Sequence, residues 1–179
     1  MITKIIGIAG PARAGKDTFA ALLTQEGVQA TIVSLATPMK KMLMLGLDLS
    51  YEQVHGHDKE SIDPRYGVSA RYLMQTLGTQ WGRELVHTDL WLTILKNTYE
   101  GIIIVPDIRF ENEATFVRRH GVLIHIKRDI GGIESDHASE KGVSNLHMDY
   151  LVNNNTSLAS LEDKARLITG FIHNEWGVS

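Results

Sequence analysis

Apolar runs and amphipathic stretches alternate along this chain. Ile2 to Ile8 is nearly all apolar, the pattern of a parallel strand covered on both faces. A helical pattern follows to about Glu26, with Phe19, Leu22 and Leu23 on one face and Gly27 placed to cap its end. Thr31 to Leu35 reads as a short strand of β-branched and apolar residues. Pro38 suits a first helical turn, and Met39 to Leu47 reads as that helix, with its Met and Leu residues in the core. Ser50 to Gly67 is polar and reads as a solvated loop. Ser69 to Val86 reads as a helix whose Leu73, Leu77, Trp81 and Leu85 form a buried stripe at every fourth residue. Asp89 to Thr98 is a shorter helix.

The alternation continues to the end of the chain. Ile102 to Val105 is a fully apolar strand closed by Pro106-Asp107-Ile108-Arg109, and Phe110, Ala114 and Val117 face the core from a helix that stops at Gly121. Val122 to Ile126 and Tyr150 to Val152 are further strands. Thr156 or Ser157 caps a last helix lined by Leu158, Leu161, Ala165, Ile168 and Ile172. Such a pattern predicts an α/β fold: a five-stranded parallel sheet with helices on both faces and the first strand near its middle. The whole chain, 1–179, reads as one domain with two insertions. One, within 36–100, separates the second and third strands. The other, 128–147, is polar and follows the fourth strand, a length typical of a lid or binding loop.

The first strand leads into Gly10-Pro11-Ala12-Arg13-Ala14-Gly15-Lys16-Asp17-Thr18. A strand, a G-x-x-x-x-G-K loop and a helix together specify a phosphate-binding P-loop, and predict a P-loop NTPase fold. The glycines let backbone N–H groups curl around phosphate oxygens, the helix adds its positive end, and Lys16 is spaced to reach the β- and γ-phosphates. Asp17 stands where a magnesium-ligating Ser or Thr is usual. Its carboxylate is still a hard oxygen ligand, so Asp17 is expected on the metal and Thr18 on an α-phosphate oxygen.

Composition narrows the class. The formal net charge is −3, so no basic surface calls for a nucleic-acid polymer, and no apolar run is long enough to span a bilayer. Cysteine is absent, which removes disulfides and thiolate metal sites. The N-terminus reads as a strand rather than a signal peptide, and a cytoplasmic enzyme fits these features. His55, His57 and Asp58 lack a third ligand at a supporting spacing. Lys59 and Arg65 are weak candidates for meeting an anionic substrate. Gln75, Thr79 and Arg83 form a polar stripe that either faces solvent or presents two hydrogen-bonding groups and a guanidinium to an anion. Asp107 and Arg109 fall at the carboxyl edge of the sheet, where α/β proteins bind ligands.

The motifs Gly15-Lys16-Asp17-Thr18, Leu73 to Thr79 with Gly82-Arg83, Asp89-Leu90-Trp91, Asp107 to Glu113, His137 to Glu140 and Asp149 to Asn153 occur in an order that resembles the P-loop nucleoside monophosphate kinases. More narrowly, they resemble the deoxynucleoside monophosphate kinases of bacteriophages. The resemblance implies ATP- and magnesium-dependent phosphorylation of a deoxynucleoside 5′-monophosphate to the diphosphate, in the cytoplasm of a host if the chain is phage-encoded. It implies that the first insertion covers the monophosphate and that the second closes over ATP. It implies a catalytic set of Lys16, Arg83, Arg109, Arg128 and Asp107. On the ATP side it implies Gly10, Ala12, Arg13, Ala14, Gly15, Lys16, Asp17, Thr18, Arg128 and Asn153. On the acceptor side it implies Lys40, Gln75, Thr79, Arg83, Trp91, Asp107, Arg109 and Glu140. Asp107 is left between orienting magnesium-bound water and fixing an arginine, and Trp91 between lining the acceptor and the core. Unlike lids rich in arginine, this one has Arg128 as the sole arginine between Arg119 and Arg166. The rival functions are dephospho-coenzyme A kinase or another small-metabolite P-loop kinase, and, from another class, a non-catalytic nucleotide-binding regulatory module. A homodimer is the candidate assembly.

Overall fold

The computed structural model describes residues 3–129 and 148–177. The chain divides into two compact units, one formed by Met1–Ser34 with Tyr99–Ser179, the other by Leu35–Thr98. The first unit is built on a 5-stranded sheet of β1 Lys4–Ala9, β2 Ala30–Ile32, β5 Ile102–Ile108, β6 Gly121–Lys127 and β7 Tyr150–Asn153. The order is β2-β5-β1-β6-β7, every pairing parallel, so the strand that feeds the P-loop is central. Ile5, Ile6, Ile8 and Ala9 of β1 are fully buried, as a strand sandwiched between helices requires. On one face, α1 Lys16–Gln25 and α7 Leu158–Trp176 close a core of Ile6, Ile8, Phe19, Leu23, Ile124, Leu161 and Ile168. On the other, α6 Glu111–His120 packs so close that a Cβ on Gly7 would meet a Val117 methyl at 2.8 Å. Ser157 caps α7 by accepting from the Ser160 N–H.

β5 runs further than its apolar residues suggested. It carries on through Pro106 and Asp107 to Ile108, and its register against β1 shifts between Gly7 and Ala9. A proline cannot donate to the ladder, and an irregularity of this kind tolerates it. Asp107 is therefore a strand residue and Arg109 the first residue beyond.

The second unit contains α2 Ala36–Gly46, α3 Tyr51–Val54, a 3₁₀ turn His57–Glu60, a hairpin of β3 Ile62–Asp63 and β4 Val68–Ser69, α4 Ala70–Gln75, a π-helical stretch Thr76–Val86, and α5 Leu90–Thr98. Leu43, Leu49, Val54 and Ala70 form its core, with Met39, Leu73, Met74 and Leu77 packed against them. Within α2, Leu43 is buried but Leu45 is exposed, so only part of its apolar set is core.

Two expectations fail in this unit. Residues 50–67 are not a plain solvated loop. Ser50 and Gln53 form a capping box, and the Gln53 amide and the Arg65 guanidinium both donate to Asp63, which is 2% exposed. Arg65 also donates to Asp48, ahead of α3, so its charge is engaged by carboxylates of its own unit rather than held ready for an anion. Secondly, the four-residue stripe of the long helix is not buried throughout. Trp81 is 40% and Leu85 79% exposed, whereas Gly78 and Gly82 are buried. In a π-helix each bond reaches a fifth residue, as from the His87 N–H to the Gly82 carbonyl at 3.0 Å. A stripe spaced for an α-helix then rotates off the packed side.

Candidate active site

The P-loop begins where β1 leaves the sheet. Gly10 has φ +143°, and a Cβ there would lie 2.3 Å from the Ile126 carbonyl oxygen, so no other residue fits between the loop and β6. At the loop's far end Gly15, φ +95°, starts α1 without a side-chain cap. The first-turn N–H groups are thus left for an anion, backed by the helix dipole. Arg13 takes a positive φ of 61° in the curl between them, and Ala12, like Arg13, is exposed while Ala14 is buried. A Cβ on Gly15 would meet the Asn154 amide nitrogen at 2.6 Å. That amide donates to the Ala14 carbonyl at 2.8 Å, while the Asn154 N–H donates to the Lys127 carbonyl. Asn154, just past β7, therefore ties the loop to two strands.

Lys16 reaches back across the loop and donates to the Gly10 and Pro11 carbonyls at 2.9 and 2.7 Å. Burial, and then the nearby Arg109 charge, pull its ammonium below the ordinary lysine value, while Asp17 and Asp107 pull the other way. Lys16, Arg109, Asp17 and Asp107 therefore share one electrostatic neighbourhood. Asp17 and Thr18 are exposed in the first turn of α1. Asp107 accepts from the Ser34 hydroxyl at 2.7 Å. Glu113 is 3% exposed and accepts the backbone N–H groups of Arg109 and Phe110 at 2.8 and 3.1 Å, which fixes the backbone from which the exposed Arg109 side chain projects. Arg128 donates to the Arg13 carbonyl at 3.4 Å, which sets it beside the P-loop.

Magnesium fits this donor set. Asp17 and Asp107 offer hard carboxylate oxygens, the donor type that holds this cation together with substrate phosphates.

The Asn153 side chain is exposed, and its carbonyl accepts from Lys164. In the second unit, Gln75 and Thr79 are exposed, Lys40 approaches His55 Nδ1 at 3.4 Å, and half-buried Arg83 donates to the Gly78 carbonyl at 3.1 Å. Trp91 is 2% exposed, lies against Gly82, and gives its indole N–H to the Gly78 carbonyl at 2.8 Å. It is core and does not line an acceptor surface. Glu140 and residues 130–147 of the lid segment lie outside the described residues. Sequence reasoning assigned no role to Asn154, Glu113 or Ser34. Glu113, three residues after Phe110, had the spacing of a capping box and could have been found.

The family model described as deoxynucleotide monophosphate kinase matches residues 48–165. The chain belongs to the deoxynucleotide monophosphate kinase family. The match runs from the second unit into α7 and does not include the P-loop, which stands on its own geometry. A protein of Acanthamoeba polyphaga mimivirus, named provisionally as a deoxynucleotide monophosphate kinase, is 32% identical over 175 residues, covering 85% of this chain and 89% of that one. The deoxynucleoside-5′-monophosphate kinase of Escherichia phage T5 is 30% identical over 107 residues, covering 53% of this chain and 43% of that protein. Among solved structures, TT1252 from Thermus thermophilus superposes with a TM-score of 0.56 at 15% identity, over 96% of this chain and 99% of that one. Dephospho-CoA kinase from Campylobacter jejuni follows at 0.51 and 16%, over 96% and 98%. These likenesses carry the P-loop kinase fold alone. With the family established, neither the coenzyme A kinase nor the regulatory module is favoured for this member.

Proposed function

We propose that this deoxynucleotide monophosphate kinase transfers the γ-phosphoryl group of ATP to the 5′-phosphate of a deoxynucleoside monophosphate. An acceptor oxygen bonds to the γ-phosphorus as the bridge to the β-phosphate breaks, leaving ADP and a deoxynucleoside diphosphate. The observation that carries this reading is the glycine-bounded loop, with Lys16 folded across it, opening on an uncapped helix N-terminus at the carboxyl edge of the sheet. The acceptor is already an anion at neutral pH, so positioning and charge neutralisation suffice without a strong base.

In this reading the P-loop N–H groups from Gly10 to Thr18 cradle the donor phosphates. Lys16 leaves its own loop carbonyls for the β- and γ-oxygens. Arg128, set on the Arg13 carbonyl, follows the transferring group. Arg109 holds the acceptor phosphate through its planar fork. Magnesium, held by Asp17 and bound phosphates, would supply charge neutralisation at the β/γ bridge. Asp107, pinned by Ser34, orients around that charge. Arg83, Gln75, Thr79 and Lys40 on the second unit, and Glu140, are assigned to the monophosphate, and Asn153 to ATP. The function calls for the cytoplasm where its nucleotides are, that of the host if the chain is phage-encoded. Among the described residues no helix is long and apolar enough to cross a membrane.

The test is a panel of deoxy- and ribonucleoside monophosphates and dephospho-coenzyme A, scored by ATP consumption. Turnover is expected with deoxynucleoside monophosphates, and Lys16→Ala should abolish it while leaving the circular-dichroism spectrum unchanged. An absence of deoxynucleotide-dependent turnover, or normal turnover by the Lys16 variant, sinks the reading.

A further inference from the structure

The motif residues Gln75, Gly78, Gly82 and Arg83 lie along one continuous helix whose register changes from α to π at Thr76. A π-helical run of 11 residues is unusual, since such turns are mostly single. Two side chains from outside this stretch meet it at its glycines. A Cβ on Gly82 would meet the Trp91 ring at 2.5 Å, and one on Gly78 would meet the Met39 sulfur at 2.9 Å. Gly82 thus lets the indole lie against the helix, and Gly78 does the same for the Met39 thioether. The Gly78 carbonyl oxygen then receives two donors, the Trp91 Nε1–H at 2.8 Å and Arg83 Nη1 at 3.1 Å. Two side-chain donors therefore converge on one backbone oxygen. Trp91 is buried and comes from α5, a separate helix, so its bond is insulated from water and fixes the carbonyl from outside the element that carries Arg83.

We propose that Trp91 is a positioning residue for phosphoryl transfer: by holding the Gly78 carbonyl it sets the place from which Arg83 meets the 5′-phosphate of the acceptor. The inference rests on Arg83 being an acceptor ligand. It explains why a tryptophan with no access to substrate follows the glycine–arginine motif at this interval. It also gives the two glycines separate tasks: Gly78 supplies the shared carbonyl, and Gly82 lets the indole approach it.

The experiment is a double-mutant cycle of Trp91→Phe and Arg83→Ala, read as KM for the monophosphate at saturating ATP, kcat, and ATP affinity without acceptor. Phenylalanine keeps an aromatic ring and deletes the N–H together with part of the indole's bulk. The loss of one buried bond predicts a rise in monophosphate KM on the order of tenfold, with ATP affinity unchanged. In the Arg83→Ala background the same change should add nothing, because Trp91 acts through Arg83. An equal added loss in both backgrounds, or a parallel fall in ATP affinity, makes Trp91 a packing residue only and overturns the inference. Should Arg83→Ala alone leave the monophosphate KM unchanged, the acceptor reading of Arg83 fails and takes the inference with it. Where Trp91→Phe does not fold, 3-benzothienylalanine placed at position 91 keeps the indole's shape without the N–H, and is judged by the same outcomes.

Discussion

Asn154 offers the sharpest test of how the P-loop is held. Its side-chain amide donates to the Ala14 carbonyl at 2.8 Å, Ala14 is fully buried, and Asn154 itself is 9% exposed. Asn154→Ala removes the donor and leaves a carbonyl that water reaches poorly. An unsatisfied buried acceptor of this kind costs about 1–3 kcal/mol. For a chain of this size each kcal/mol lowers Tm by roughly 2–4 °C, so thermal melting should register the loss clearly. Ala14 stands between Arg13 and Gly15, so slackening it disturbs the loop N–H groups assigned above to the donor phosphates. ATP affinity should then fall by up to about tenfold, since 1.4 kcal/mol corresponds to that factor. The monophosphate KM at saturating ATP should stay as it was. Asn154→Asp is the harsher variant, because it sets a carboxylate against a carbonyl and two acceptors repel. Melting and calorimetric ATP titration decide the matter. A stability loss with unchanged ATP affinity would show that the amide supports the fold but not the loop, and unchanged stability would refute the brace altogether.

Three further predictions concern charge. Arg109→Lys keeps the charge and loses the planar fork, so kcat/KM for the monophosphate should fall by about 2–4 kcal/mol of transition-state stabilisation while ATP binding without acceptor stays constant; a parallel fall in ATP binding would move Arg109 to the donor side. Asp17→Asn should raise the magnesium concentration needed for half-maximal rate, because an amide is a poorer ligand for a hard cation; an unchanged requirement reduces Asp17 to a helix N-terminal charge. The Arg65 guanidinium, and then the Gln53 amide, hold the Asp63 carboxyl well below the usual carboxylate range. A depressed folded-state pKa contributes stability above the unfolded value near about 4, and this is lost as pH falls below it. Melting followed from about pH 7 to about pH 3 should therefore show a steeper acid loss for the parent chain than for Asp63→Asn, and identical slopes would contradict the assignment.

The sheet was legible because its strands are buried on both faces and so appear as unbroken apolar runs, Ile5 to Ile8 and Ile102 to Val105 among them. The P-loop was legible because its glycines answer to backbone geometry written locally. The second unit was harder for a physical reason. Its π-helix receives a hydrogen bond from Trp91, well along the chain from Gly78, and periodicity within the helix carries no sign of that partner. The stretch 50–67 looked unstructured because its order depends on a charged residue, Asp63, being buried with Arg65 and Gln53, where polar composition points to solvent. Asn154 was passed over in favour of Asn153 because adjacent asparagines look alike, and only the register of β7 decides which one turns to the loop.

The sheet pairing also bears on how the protein assembles. Ala30 of β2 sits opposite Ile102 of β5, although the whole Leu35–Thr98 unit is threaded between these neighbours. Closing a flexible loop costs only about 0.6 kcal/mol more for each doubling of its length, so the detour is thermodynamically mild. Its kinetic cost is larger, because this pairing depends on residues distant in sequence and must await a long-range encounter. A detour that condenses early on its own Leu43–Val54–Ala70 core shortens that search, since two tethered ends then replace a long floppy span. The same threading makes the detour one uninterrupted segment, entered once and left once. Exchange of that segment between related genes would replace Lys40, Gln75, Thr79 and Arg83 together and leave every strand pairing of the 5-stranded sheet intact.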